Sequence, residues 1–498
     1  MSDLIDLPDE LRRATLGVLM PGFGGTTIPA WLEPHLRDGL GGVCLFAMNT
    51  PDVERTRALC EALAAAQPDL LIALDEEGGD VSRLQAATGS ALPGNAALGA
   101  VDDEDVTRQA GAAIGALVRA AGAHLTIAPV LDVASNPHNP VIGVRAFGAD
   151  PQAVRRHGVA FIEGLHEAGA GGCAKHFPGH GDTATDSHMG LPVINIDPEL
   201  LRQRDLTPFE AVAGATDAVM TAHIVVPQLG PYPATLSPWA YQWLRETGFD
   251  GPVITDALGM AAVAAGDDDH SAGVGVACVR ALQAGADLLC LDSPQNRDEV
   301  ALFTESYNAV GQALLQGQLT AESLRASAER TRRCVQTITA RAGWGQDAPL
   351  DEAAIEAFGD RVATESLRTT GNVAATETVW LADLRRSANW AAGDLGSIVL
   401  DTLNESRERA GLLPIEPVTT DQIASLDPAD TVVLVTKQPL ADPAEAGALE
   451  EGLAARPDAI VLHTGMTSAA PEAERMICCH GLARPNLRAA AAALSGLL

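Results

Sequence analysis

A chain of 498 residues is too long for one ordinary domain and suits two or three. Hydrophobic residues make up 47% and charged residues 20%, enough for a large core, so wholesale disorder is excluded. Sixty-five acidic residues against 33 basic ones give a formal charge of −32, which repels nucleic-acid phosphates and anionic lipid. Nucleic acid and membrane are therefore not expected partners. Basic charge is nearly all Arg, and Lys175 and Lys437 are the two lysines. The cysteines at 44, 60, 173, 278, 290, 334, 478 and 479 form no CxxC pair. Several lie in apolar runs, which fits buried thiols in a reducing compartment better than a disulfide framework. The start, MSDLIDLPDELRR, has no basic stretch followed by an apolar one, and no apolar run is long enough for a bilayer. A cytoplasmic protein is the expectation.

Short apolar runs alternate with longer Ala/Leu/Arg segments of helical period up to about residue 340. Strands are predicted near 15–20 (TLGVLM), 42–47, 70–75, 124–133, 171–176, 217–224, 252–256 and 286–291. Their near-continuous hydrophobicity indicates burial on both faces of a parallel sheet. Eight such strands with intervening helices fit an α/β chain folded as a (β/α)8 TIM-type barrel. A doubly wound open sheet is the competitor, but Pro21-Gly22-Phe23-Gly24-Gly25 lacks the spacing of a dinucleotide-binding loop. The barrel is expected over 1–345, a linker over 346–365 and a smaller αβα sandwich domain over 366–498. In the last of these, VWLADL (379–384), SIVLDTL (397–403), TVVLVT (431–436) and AIVLHT (459–464) read as strands.

Polar residues gather at one end of the barrel strands. Asp75, Asp132, Lys175, His176, His223, Asp256 and Asp292 all stand at or just past a strand's C-terminus, where such barrels place their active sites. Random scatter would decorate both ends.

The densest segment runs from Lys175-His176-Phe177-Pro178-Gly179-His180-Gly181-Asp182 to Asp186-Ser187-His188. Asp186 and His188 are close enough for a carboxylate to orient an imidazole, a plausible general acid/base pair near neutral pH. A metal site and a purely structural loop are the competing readings; Pro178-Gly179 interrupts the helix that would bring His176 and His180 to one face. No metal and no cofactor are expected. In Ile254-Thr255-Asp256-Ala257-Leu258-Gly259-Met260, an Asp in the barrel mouth is suited to be a nucleophile, its alternative being a structural salt bridge. Asp75-Glu76-Glu77-Gly78-Gly79-Asp80-Val81-Ser82-Arg83 sets a carboxylate and an Arg around a Gly-Gly turn, suited to sugar hydroxyls. Asn139-Pro140-Val141-Ile142-Gly143-Val144-Arg145-Ala146-Phe147-Gly148 supplies another cation.

Together, KHFPGHGDT…DSH, TDALGM, DEEGG…R and NPVIG-R-FG resemble glycoside hydrolase family 3, in its β-N-acetylglucosaminidase branch, over residues ~15–340. The remainder resembles the αβα domain that follows the barrel in many members. The resemblance implies Asp256 as nucleophile, and His188, paired with Asp186, as acid/base. It implies Asp75, Arg83, Arg145, Lys175 and His176 around the −1 sugar, and His223 is counted with them. Glu76 and Asp80 depart from the common DQEGGR, and Ala257 stands where many bacterial members have Asp.

The expected reaction is removal of terminal β-linked N-acetylglucosamine from cell-wall-derived or related glycosides by retaining double displacement. The partner is thus a small carbohydrate. An imidazole acid/base places no second carboxylate beside an approaching anion, so inorganic phosphate is the alternative acceptor and a phosphorylase the alternative enzyme. A non-catalytic sensor of cell-wall sugars is the reading from another class.

Overall fold

The computed structural model describes residues 4–185, 190–264, 273–295, 297–342, 344, 350–386 and 397–497. Asp186 and His188 lie outside them.

Eight short parallel strands form a ring: β1 (Leu19–Met20), β2 (Gly42–Leu45), β3 (Leu71–Leu74), β4 (Leu125–Thr126), β5 (Gly171–Phe177), β6 (Ala218–Thr221), β7 (Val253–Ile254) and β8 (Leu289–Cys290). Strands β2 to β7 pair in chain order, with Gly42 opposite Leu71 and Cys173 opposite Ala218. The ring closes through the Ile254–Leu288 bridge, the β1–β8 pair, and the bonds Gly41 N to Leu16 O (3.0 Å) and Cys44 N to Pro21 O (3.1 Å). The chain therefore contains a TIM-like α/β domain.

Alternation along each strand builds two apolar layers. Met20, Cys44, Leu71, Ala73, Cys173, Met220, Ile254 and Cys290 fill the interior, joined by Val335 and Ile338 of the helix Ala321–Thr339. Leu19, Val43, Leu45, Ile72, Leu74, Val219, Val253 and Leu289 point outward into the layer shared with the helices. Asp52, Asp103, Asp150 and Asp298 cap four of those helices, each side chain accepting from a first-turn amide. TLGVLM is divided: Thr15 and Leu16 end the helix Asp9–Leu16, and only Leu19–Met20 joins the ring. All eight cysteines are buried, and none is in a disulfide.

The C-terminal part carries a second sheet, made of β9 (Arg368–Thr370), β10 (Val379–Asp383), β11 (Glu416–Pro417), β12 (Thr431–Thr436), β13 (Ile460–His463) and β14 (Met476–Cys478). Its order is β9-β14-β13-β12-β10-β11, parallel except at β9. Val433, Val435, Ile460 and Leu462 pack with residues of the helices Ile398–Arg409 and Arg484–Leu494. Val432, Leu434 and Val461 face the other way, toward Ala448 and Leu449 of Pro443–Ala455.

One expected strand is corrected. SIVLDTL begins a helix, because Val399, Leu403 and Arg407 are buried at four-residue spacing, the period of a helix face and not of a strand. Strands β9, β11 and β14 had no predicted counterpart. The helix Glu352–Ser366 packs against Asn95–Val101 of the barrel and against Arg484–Leu494. Among the described residues, no helix is long and apolar enough to cross a membrane.

Candidate active site

At the C-terminal ends of the strands, side chains leave the apolar interior and open on the mouth of the ring. Asp75 follows β3 directly. After it the chain reverses in a small hairpin, Glu76–Gly78 against Val81–Ser82. Gly78 and Gly79 have φ of +75° and +63°, and a Cβ on Gly79 would come within 2.6 Å of Gly94 Cα, so this turn requires glycine.

The hairpin aims Glu77 at two cations. Arg145 donates from Nε to Glu77 Oε2 (3.0 Å) and from Nη2 to Oε1 (2.8 Å). Lys175 Nζ lies 2.6 Å from Glu77 Oε1 and 2.7 Å from Asp75 Oδ1, and Arg83 Nη2 lies 3.2 Å from Asp75 Oδ2. Burial alone would raise the Asp75 carboxyl, but Lys175 and Arg83 outweigh it and hold it well below the usual carboxylate range. Burial is likewise overcome at Glu77 by Arg145 and Lys175, and at Lys175 by Asp75 and Glu77. All these groups are therefore charged near neutral pH. The result is a fixed, mutually ion-paired array of donors and acceptors.

His176, in β5, is set by Asp132. Its Nδ1 lies 2.7 Å from Asp132 Oδ2, and its Nε2 lies 3.3 Å from Arg145 Nη2. Burial would raise Asp132, but the hydrogen bonds it accepts from the His176 ring and the His180 amide hold it below its ordinary value, so it is an acceptor only. Arg145 can only donate. These contacts place a hydrogen on His176 Nδ1, toward Asp132, and leave Nε2 to accept from Arg145. The peptide bonds Lys175–His176 and Phe177–Pro178 are cis. Beyond them His180 N donates to Asp132 Oδ1 (2.6 Å), while Asn139 Nδ2 donates to His180 O (2.9 Å) and Thr183 Oγ1 (3.1 Å). Burial pushes His180 down to about 4, so its ring is neutral.

Asp256 lies two residues past β7 and is partly exposed in the mouth. The amide of Ala257 donates to Asp256 Oδ1 (2.8 Å). His223 Nε2 donates to the Ala257 carbonyl (3.0 Å), and its Nδ1 lies 3.0 Å from Thr235 Oγ1. His223 thus holds the backbone beside Asp256. Ala257 packs against the interior apolar cluster.

The structure brings Asp75, Arg83, Arg145, Lys175 and His176 into one contact network, and places Asp256 with His223 on a neighbouring stretch. The expected pair Asp186 and His188 is not among the described residues. Sequence reasoning put Asp132 at the barrel mouth without giving it a partner, and assigned no role to Glu77 or Asn139. Glu77 and Asp132 carried a usable signal, since a lysine and a histidine at strand ends inside a barrel must be matched by buried acids.

Comparison with known proteins gives the family. Residues 29–334 match the family described as "Glycosyl hydrolase family 3 N terminal domain". The chain belongs to glycosyl hydrolase family 3. It is 38% identical over 294 residues to a beta-hexosaminidase of Pseudomonas aeruginosa, covering 57% of this chain and 85% of that protein. The structure of a family 3 beta-N-acetylglucosaminidase from Paenibacillus sp. str. FPU-7 superposes with a TM-score of 0.86 at 29% identity, covering 99% of this chain and 97% of that one. NagZ from Neisseria gonorrhoeae in complex with N-trifluoroacetyl-D-glucosamine gives a TM-score of 0.54 at 27% identity, over 70% of this chain and 97% of that one. As a family 3 member the chain is a glycoside hydrolase.

Two departures from the family motif now have physical accounts. Asp80, in place of Arg, accepts from Lys437 Nζ (2.7 Å) and Leu482 N (2.7 Å), both from the C-terminal part. Glu76, in place of Gln, accepts through Oε2 from Arg83 N (3.0 Å) and Leu84 N (2.9 Å). Burial pushes the Glu76 carboxyl up to about 7.

Proposed function

We propose that this chain is a retaining exo-β-N-acetylglucosaminidase acting on cell-wall-derived or related glycosides in the cytoplasm. The observation that carries the reading is Asp256, partly exposed at a strand end beside the ion-paired cluster of Asp75, Lys175, Glu77 and Arg145. The cluster binds the terminal sugar through its hydroxyls. Hexosamine as that sugar is supported by the beta-hexosaminidase relatives and by the neighbour holding N-trifluoroacetyl-D-glucosamine.

Asp256 attacks the anomeric carbon while His188, oriented by Asp186, protonates the departing glycosidic oxygen. A covalent glycosyl-Asp256 forms. His188, now neutral, takes a proton from water, which adds to the anomeric carbon and releases Asp256 with net retention. The C-terminal part is the αβα sandwich of two-domain members.

Wild type should cleave a chromogenic β-N-acetylglucosaminide far faster than the β-glucoside. Asp256→Ala should lose turnover for every leaving group. His188→Ala should still be glycosylated by a dinitrophenyl substrate and should yield the β-glycosyl azide when azide is added. An α-azide would mean direct displacement and would overturn both assignments. Assay in phosphate separates hydrolysis, which gives only the free sugar, from transfer to phosphate, which gives N-acetylglucosamine 1-phosphate.

A further inference from the structure

The loop that follows β5 is tied down along its first limb. His180 and Thr183 are buried and bonded to Asp132 and Asn139, and Gly181 packs so closely that a Cβ would lie 1.8 Å from Val133 O. Ala184 and Thr185 are exposed, so the pinned limb ends at Thr183. Asp182 is the last charged residue before Asp186. Its Oδ2 accepts from Arg204 Nη2 at 2.9 Å.

Arg204 is no ordinary surface arginine. It lies in a π-helical turn, Arg202–Leu206, between the helices Pro198–Leu201 and Thr207–Val212. Such turns insert one extra residue and recur at functional sites. Arg204 Nε donates to Asp205 Oδ2 (3.0 Å), and the Asp205 side chain is only 1% exposed. Asp205 Oδ1 has no hydrogen-bond partner among the described residues. A buried, half-satisfied carboxylate is costly to keep, and a stabilising role alone does not account for it. Asp205 also abuts the loop from below: a Cβ on Gly179, whose φ is +133°, would lie 2.7 Å from Asp205 Cβ. The Asp205 side chain thus leaves room only for glycine at 179 and, through Arg204, is linked to the loop at Asp182.

We propose that Arg204 is a positioning residue, aligned by Asp205, which fixes Asp182 and so sets the limb that delivers Asp186 and His188. This rests on His188 being the acid/base. The role is specific: it serves proton transfer and not sugar binding, since the ion pairs of Arg204 among the described residues are with Asp182 and Asp205 and not with the Asp75–Lys175–Glu77–Arg145 network.

The test compares kcat/KM on phenyl and dinitrophenyl β-N-acetylglucosaminides, the first needing a proton on its leaving group and the second not. Arg204→Met should lose roughly 30-fold or more on the phenyl glycoside and less than about threefold on the dinitrophenyl one. Arg204→Lys should recover part of the phenyl activity. Equal losses on both substrates, or no loss on either, would overturn the proposal. Should Arg204→Met fail to fold, Asp182→Asn at a half-exposed position reads the same contrast. His188→Ala is run in parallel. If it shows the contrast and the Arg204 and Asp182 variants do not, the positioning role is wrong; if His188→Ala shows no contrast, the acid/base assignment itself has failed.

Discussion

Glu77 grips Arg145 at two points, Oε2 to Nε at 3.0 Å and Oε1 to Nη2 at 2.8 Å, with both side chains almost fully buried. A carboxylate and a guanidinium meet in this way only when both planes are aligned. A lysine in place of Arg145 keeps the charge and loses the fork. Arg145→Lys should therefore cost about 2 to 3 kcal/mol of transition-state binding, roughly 30- to 150-fold in kcat/KM. Steady-state kinetics on a chromogenic β-N-acetylglucosaminide checks this, and unchanged kinetics would remove Arg145 from the sugar site.

The tautomer of His176 gives a second expectation. Asp132→Asn can still accept from His180 N, but its amide presents N–H to His176 Nδ1. The ring hydrogen must then move to Nε2, where it faces the N–H donors of Arg145. The expected outcome is a kcat/KM reduced by about 10²-fold, with a lowered melting temperature because buried donors then face one another. Nitrogen NMR of the imidazole reports the tautomer directly. A variant with full activity would show that the tautomer is irrelevant to turnover.

Glu76 makes stability depend on pH in an unusual direction. Its carboxyl is pushed up to about 7 by burial, above the ordinary value of 4.5. The native state therefore holds a proton that the unfolded chain gives up. Below pH 4.5 the group is protonated in both states and costs nothing. As pH rises through 7 the native state must ionise a buried carboxyl, and stability is lost, by up to about 3 kcal/mol. Glu76→Gln keeps the acceptor for Arg83 N and Leu84 N and removes the titration. It should raise the melting temperature above pH 7 and leave it unchanged near pH 4.5. Parallel melting curves across that range decide it; a gain of equal size at both ends would exclude ionisation as the cause.

Lys437 reaches Asp80 from 357 residues away, and the Asp80 side chain is only 1% exposed. Removing one member of such a pair leaves the other charged and buried. Lys437→Met should destabilise the protein by about 3 to 5 kcal/mol, and Asp80→Asn in the same chain should restore most of it. Denaturant unfolding of the two single variants and the double variant measures the coupling. Additive losses would mean that the contact carries no energy.

The last contact also marks the limit of what the sequence can convey. The ring strands are legible because burial on both faces makes their apolar runs continuous, as in Leu71–Leu74 and Gly171–Phe177. The mouth is legible because charge at strand ends has few other uses. Arg368–Thr370 and Glu416–Pro417 are exposed strands of three and two residues, so no apolar pattern marks them. SIVLDTL is dense enough in β-branched residues to imitate a strand, and only the burial of Arg407 one turn beyond it discloses the helix. Asp80 looks like a misplaced charge until Lys437 is beside it, and nothing local links the two.

Both lysines of this chain are spent on carboxylates: Lys175 is 2% exposed and Lys437 13%. The protein consequently offers acylating reagents almost no side-chain amine, although it is 498 residues long. Ester-activated dyes, aldehyde fixatives and amine-coupled resins should react sparingly and leave the sugar site intact. When such a reagent does modify Lys437, it reports that the two parts of the molecule have come apart, so slow acylation becomes a clock for that opening.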